Sequence, residues 1–63
     1  MSKIETERNK RGLTRGMLAK KVGVTIRAIE YYENLERTPR AEILKRMAKV
    51  LGCQMEDLIE ETE

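Results

Sequence analysis

The sequence predicts an all-α fold, a compact bundle of five short helices, and three observations predict it. Apolar residues recur at helical spacing, as at positions 43, 44, 47, 48 and 51, and nowhere alternate as a strand would. Only two residues are aromatic, both tyrosine, so the composition is poor in strand-forming side chains. Hydroxyl residues suited to opening helices (Ser2, Thr14, Thr25) and glycines suited to closing them (Gly12, Gly23, Gly52) fall about one helix apart.

Each element follows from that punctuation. Helix 1 is expected from about Ser2 to Arg11, opened by Ser2-x-x-Glu5 in capping-box form and stopped at Gly12, with Leu13 plugging the junction. Helix 2, about 15–22, has Thr14 as its cap and Met17, Leu18, Ala19 and Val22 as its inward side. Gly23 ends it, because glycine takes the left-handed conformation of a sharp turn without a Cβ clash. Thr25 then caps helix 3, about 26–34, which turns Ile29 and Tyr32 inward and leaves Ile26, Arg27, Ala28 and Tyr31 facing out. Ala19 is the small residue that lets helices 2 and 3 cross closely. A loop from Leu35 to Thr38 leads to Pro39, suited to a first helical position, and to helix 4 at about 40–51. Gly52 stops that helix. Helix 5, about 55–61, puts Met55, Leu58 and Ile59 on one face, and Glu60 to Glu63 read as a frayed end.

Composition bounds what such a chain can do. At 63 residues, 40% of them hydrophobic, it is read as one domain (residues 1–63) near the lower limit for an unaided core. Cys53 stands alone, so no intrachain disulfide braces it, and with no histidine a zinc site of the usual ligands is not credible. No cofactor or metal is implied. No apolar run approaches membrane-spanning length, and the N-terminus lacks a signal peptide's apolar stretch, which together point to a soluble, cytoplasmic protein without a membrane partner. Net charge is only +2, but it is graded: seven basic and two acidic residues in 1–21, three of each in 22–40, three basic and six acidic in 41–63. Such a gradient fits a protein that meets phosphate with one end, although solvated helix faces give the same pattern.

The run Leu18-Ala19-x-x-x-Gly23-Val24-Thr25-x-x-x-Ile29-x-x-x-Glu33-Asn34, followed by Arg37-x-Pro39, resembles the lambda-repressor-like, or Cro-type (Xre), helix-turn-helix family. The likeness extends upstream through Ile4-x-x-x-Arg8-x-x-x-Gly12-Leu13-Thr14. Downstream it continues through Ile43-Leu44-x-x-Met47-Ala48-x-x-Leu51-Gly52 and Met55-x-x-Leu58-Ile59. It implies a five-helix DNA-binding domain whose third helix enters the major groove, with Ile26, Arg27 and Ala28 at the groove-entering positions. It also implies that Arg8 in helix 1 pairs with Glu33 at the end of helix 3, orienting that helix rather than touching DNA. Two positions depart from the pattern. Arg15 stands where glutamine is usual, adding charge and removing an amide that often braces the reading helix. Leu35 replaces the usual glycine, so either helix 3 runs on by part of a turn or the leucine tucks under the loop.

The residues themselves suit duplex DNA. Arg27, opposite Ile29, can fork onto the two acceptors of a guanine; Ile26 and the Ala28 methyl can pack on thymine methyls; Tyr31 can reach a base edge or a phosphate. Ile26 also has a core reading, since the helical period puts it near Ile29 and Tyr32. Thr14, Arg15 and Thr25 at helix starts, and Asn34, Arg37 and Arg40 after helix 3, are the expected phosphate contacts, with Lys10 and Arg11 as weaker ones. Arg37 and Arg40 also have a plainer reading as exposed surface charge.

Three other readings stand beside this one. The segment Arg27-x-Ile29-x-Tyr31-Tyr32-Glu33 also resembles the recognition helix of mercury-resistance-type activators, but the chain has an extra first helix and no room for their long dimerisation helix. A protein-gripping module of the antitoxin or antirepressor kind would suit the acidic, partly apolar C-terminus. An enzyme is disfavoured by the missing histidine, paired carboxylates and glycine-rich loop. The expected partners are therefore operator DNA and a second copy of the chain, held through Met55, Ile59 and Val50 unless these complete the monomer core. No small-molecule effector is evident. The sequence thus points to a dimeric, sequence-specific transcription regulator, a repressor more than an activator.

Overall fold

In the computed structural model, which describes residues 2–60, four α-helices are followed by a single 3-10 turn. They are α1 (Lys3–Lys10), α2 (Arg15–Val22), α3 (Ile26–Glu33) and α4 (Ala41–Leu51), and the turn covers Met55–Leu58. No strand occurs among the described residues.

The first three helices begin in the same way. Ser2, Thr14 and Thr25 each hold an extended backbone, and each side-chain oxygen accepts from the N–H three residues on, of Glu5, Met17 and Ala28. These bonds satisfy an amide that the helix itself cannot. The ends of α2 and α4 are set by Gly23 (φ 86°) and Gly52 (φ 68°), whose N–H groups return to the carbonyls of Ala19 and Ala48. Gly23, Val24 and Thr25 are then the whole connection between α2 and α3, so the two helices must cross at close range.

That crossing is filled by Leu18, Ala19, Val22 and Ile29, all buried. From the far side α4 adds Leu44, Met47, Ala48 and Leu51; α1 contributes Ile4 and the 3-10 turn Leu58. Packing joins α2 to α3 and α4, α4 to the turn, and α1 to α3 and the turn. The described ends are tied together as well, since the Lys3 amide donates to a Glu60 carboxylate oxygen. One buried cluster thus holds α3 from behind and leaves its outer face to solvent.

Several expectations are corrected. Met17 is 45% exposed rather than inward, because Leu18, Ala19 and Val22 define the inward direction of α2 and Met17 points about 150° away from it. Pro39 is buried but precedes the helix; Arg40 is the N-cap of α4, and the first helical residue is Ala41. The fifth helix is only the 3-10 turn, which the Gln54 N–H closes onto Asp57 Oδ2 at 2.9 Å before Ile59 becomes extended. Of the end expected to fray, Glu60 to Glu63, Glu60 is instead half-buried and accepts from the Lys3 amide, and residues 61–63 lie outside the described residues.

Leu35 follows neither path expected of it. Helix α3 stops at Glu33, and Leu35 itself takes the left-handed conformation, φ 61°, the one non-glycine among the described residues to do so. Its N–H bonds the Tyr32 carbonyl at 3.2 Å and the Glu36 N–H bonds that of Tyr31 at 2.9 Å, the double closure that glycine usually makes at a helix end. The Leu35 side chain remains 60% exposed rather than tucked under the loop.

Candidate nucleic-acid interface

Because Ile29 and Glu33 are buried, the direction of α3 is fixed from below and its opposite side is presented outward. Ile26, its first residue, is 52% exposed, which sets aside the core reading. A Cβ at Gly16 would lie 3.5 Å from Ile26 Cδ1, so the isoleucine leans over the start of α2. Arg27 is exposed, and no carboxylate among the described residues pairs with it. Ala28 and Tyr31 are half-buried one residue and one turn further on. Tyr32 packs on the core, as its adjacency to Tyr31 requires.

Tyr31 has a companion that the sequence did not announce. The Arg37 guanidinium lies over its ring, 4.6 Å from the centroid, in cation–π contact. The reversal at Leu35 makes this possible by folding the chain back, so that the Arg37 N–H also reaches the Tyr31 carbonyl at 3.4 Å. Their six-residue separation carries no signal in itself.

The flanking residues fall where helix starts and loops place them. Thr14 and Thr25 are exposed, and although their oxygens accept cap bonds at 3.1 and 3.0 Å, the hydroxyl protons remain available to donate. Asn34 caps the end of α3 and Arg40 the start of α4, both exposed. Arg11 is drawn elsewhere: its guanidinium covers Gly52 and donates to that carbonyl at 3.4 Å, where the α4 dipole favours a cation. Lys10 pairs with Glu7 at 3.3 Å. A shallow open depression between the starts of α2 and α3 is walled by Thr14, Arg15, Gly16, Ile26 and Glu30.

Beneath the site is an ionic cluster. The Arg8 Nε donates to Glu33 Oε2 at 2.6 Å and its Nη2 to Oε1 at 3.3 Å, while Nη1 donates to the Leu13 carbonyl at 2.8 Å. A single guanidinium therefore joins α1, the loop after it and the end of α3. Arg15 joins the same carboxylate, Nε to Oε1 at 2.9 Å. Its departure from glutamine thus does not leave α3 unbraced, since an ion pair takes the place of the amide. The nearby carboxylate raises the Arg15 pKa, first through the hydrogen bond and then through charge attraction. Sequence spacing gave no sign of this contact, because it arises only where three helices converge.

The residues expected at a dimer interface separate. Val50 and Met55 are partly covered by the core, whereas Ile59 is 46% exposed. Ile59 and Leu35 border an apolar groove of about 160 Å3 floored by Ile4, Leu44 and Leu58. Cys53 is half-buried, and burial, with Glu7 and Asp57, raises its pKa, so it is a poor nucleophile. Among the described residues no cluster of side chains could hold a metal ion, and no helix is long and apolar enough to cross a membrane.

A family model described as "Helix-turn-helix" matches residues 4–58, from the first core residue of α1 to the last of the 3-10 turn. No curated protein and no solved structure matches the chain at a significant level.

Proposed function

The chain belongs to the lambda-repressor-like, Cro-type helix-turn-helix family, whose members are DNA-binding regulators, and from that membership we propose a homodimeric, sequence-specific repressor acting on a palindromic operator. One observation carries the reading: α3 is clamped from below by Ile29 and Glu33 while Ile26 and Arg27 stand exposed at its first turn. In this reading the single domain lays α3 in the major groove. Arg27 forks onto a guanine, Ile26 and Ala28 pack on thymine methyls, and Tyr31 meets a base edge. Thr14, Arg15, Thr25, Asn34, Arg37 and Arg40 hold the sugar-phosphate backbone on either side.

So small a module spans few base pairs, and a symmetric dimer doubles the site, with half-sites roughly 34–36 Å apart. Exposed Ile59, with the edges of Val50 and Met55, supplies apolar surface for that contact. The groove beside Ile59 is also what favours the second reading, a module of the antitoxin or antirepressor kind that grips a partner protein.

Binding-site selection from random duplexes tests the proposal. Wild type is expected to enrich a two-fold symmetric motif, with affinity falling steeply as salt rises. Arg27→Ala is expected to lose about 1–3 kcal/mol of preference at one guanine of each half-site. If both proteins enrich the same motif equally well, Arg27 does not read bases. If wild type binds no duplex even in dilute buffer, the protein-gripping reading replaces this one.

A further inference from the structure

Tyr31 and Tyr32 are neighbours on α3 that serve two different surfaces. Tyr31, four residues after Arg27, belongs to the outward side, whereas Tyr32 lines the apolar groove of about 160 Å3. Arg37 touches both. Its guanidinium lies over the Tyr31 ring, 4.6 Å from the centroid, and the same residue forms part of the groove wall. The left-handed turn at Leu35 folds the chain back to that point, and Leu35, Thr38 and Pro39 continue the wall. No single stretch of sequence announces this groove, because α1, α3, α4 and the 3-10 turn each supply one side chain to it.

The groove is apolar within and carries an open cation at its edge. An apolar cavity of roughly this volume holds one benzene-sized body. Arg37 is exposed and pairs with no carboxylate among the described residues. Glu60, the other charged residue of the lining, already accepts from the Lys3 amide at the start of α1, where the helix dipole offsets its charge. The complement of such a lining is a compact hydrocarbon bearing one negative group. We propose that the groove binds a small apolar monocarboxylic acid, whose carboxylate draws Arg37 off Tyr31. A carboxylate takes two parallel N–H donors of a guanidinium, a stronger bond than an exposed cation makes by stacking on a ring. The regulatory role rests on the DNA-binding reading above: the acid removes from the DNA-facing side a cation assigned to phosphate and leaves the Tyr31 ring unheld. Acid and operator then weaken one another by the same factor, and the acid acts as an inducer.

The test titrates the full chain with 4-methylpentanoate, its neutral isostere 4-methylpentanamide, and acetate, which lacks the apolar body. The methyl resonances of Leu35, Leu58 and Ile59 report the groove, and the ring resonances of Tyr31 report the stacked guanidinium. With wild type, 4-methylpentanoate should shift both sets in one saturable step with a dissociation constant of about 1 mM or below, within reach of so small a ligand. The amide should bind at least about tenfold more weakly and acetate should not saturate. Arg37→Gln, an exposed substitution, should bind acid and amide alike. At constant ionic strength, saturating acid should lower wild-type affinity for the selected operator at least about threefold.

No saturable shift by about 10 mM acid, or equal binding of acid and amide by wild type, overturns the assignment of the ligand. Groove shifts that follow protein concentration and ignore the acid would seat a second copy there, and overturn it too. Acid that binds while Tyr31 and operator affinity stay unchanged overturns the inducer role. Absence of any wild-type binding to duplex sinks the DNA-binding reading itself, a result distinct from loss of the groove shifts, which need no DNA.

Discussion

Glu33 is the most consequential single residue of this chain. Its carboxylate is 1% exposed, and its charge is tolerated only because two guanidiniums face it within 2.9 Å. Replacing it by glutamine keeps the shape but leaves the Arg8 charge buried without a counterion, a change that typically costs about 3–5 kcal/mol. That approaches the entire stability expected of a domain this size, at roughly 0.05–0.15 kcal/mol per residue. Glu33→Gln should therefore be largely unfolded at temperatures where Glu36→Gln, on an exposed neighbour three residues away, melts like wild type. Equal melting temperatures for the two would refute the structural role of the ion pair. The resemblance implies the Arg8 contact and sets Arg15 at a position that often braces helix 3 through an amide; that its guanidinium meets the Glu33 carboxylate follows only from the packing.

Among the elements, the end of α3 departs furthest from what its residues prefer. Leucine at φ 61° crowds its Cβ against the carbonyl, a strain of about 1–2 kcal/mol that glycine does not suffer. Glycine gives back part of that, about 0.5–1 kcal/mol, because it loses more backbone freedom on folding. Leu35→Gly should therefore be more stable than wild type by about 0.5–1 kcal/mol, raising the midpoint by a few degrees in a chain this short. A lower midpoint would mean that the leucine side chain, despite its exposure, contributes packing along the groove with Ile59. The opposite case is the start of α3. There the Thr25 cap, the extended backbone before it and the three-residue turn all agree, and the sequence located the boundary to the residue.

At the scale of the whole molecule, a core of ten buried apolar residues supports four short helices. Little is left over for a second interface: of the large apolar side chains exposed among the described residues, Met17 and Ile26 lie on α2 and α3, and Leu35 and Ile59, 60% and 46% exposed, border the groove. If these surfaces join two copies, sedimentation at micromolar concentration should show a dimer that Ile59→Glu converts to monomer without altering the melt of the isolated fold. A wild type that sediments as monomer would leave dimerisation dependent on DNA. The graded charge matches this division, with the basic N-terminal third carrying the start of α2 and the acidic C-terminal third carrying Ile59.

By itself the sequence determined the first four helices, the hydroxyl caps of α1 to α3, the glycine stops of α2 and α4, the crossing of α2 on α3 and which side of α3 faces outward. Each of these depends on residues within one or two turns of each other: a hydroxyl three places before the amide it satisfies, a glycine where φ must be positive, an apolar period of 3.6. Tertiary structure alone decided the second partner of Glu33, the stacking of Arg37 on Tyr31 and the shortening of the last helix to a 3-10 turn. Those outcomes depend on which side chains meet when distant segments pack, and a guanidinium or a strained leucine settles according to the partner within reach rather than its neighbours in the chain.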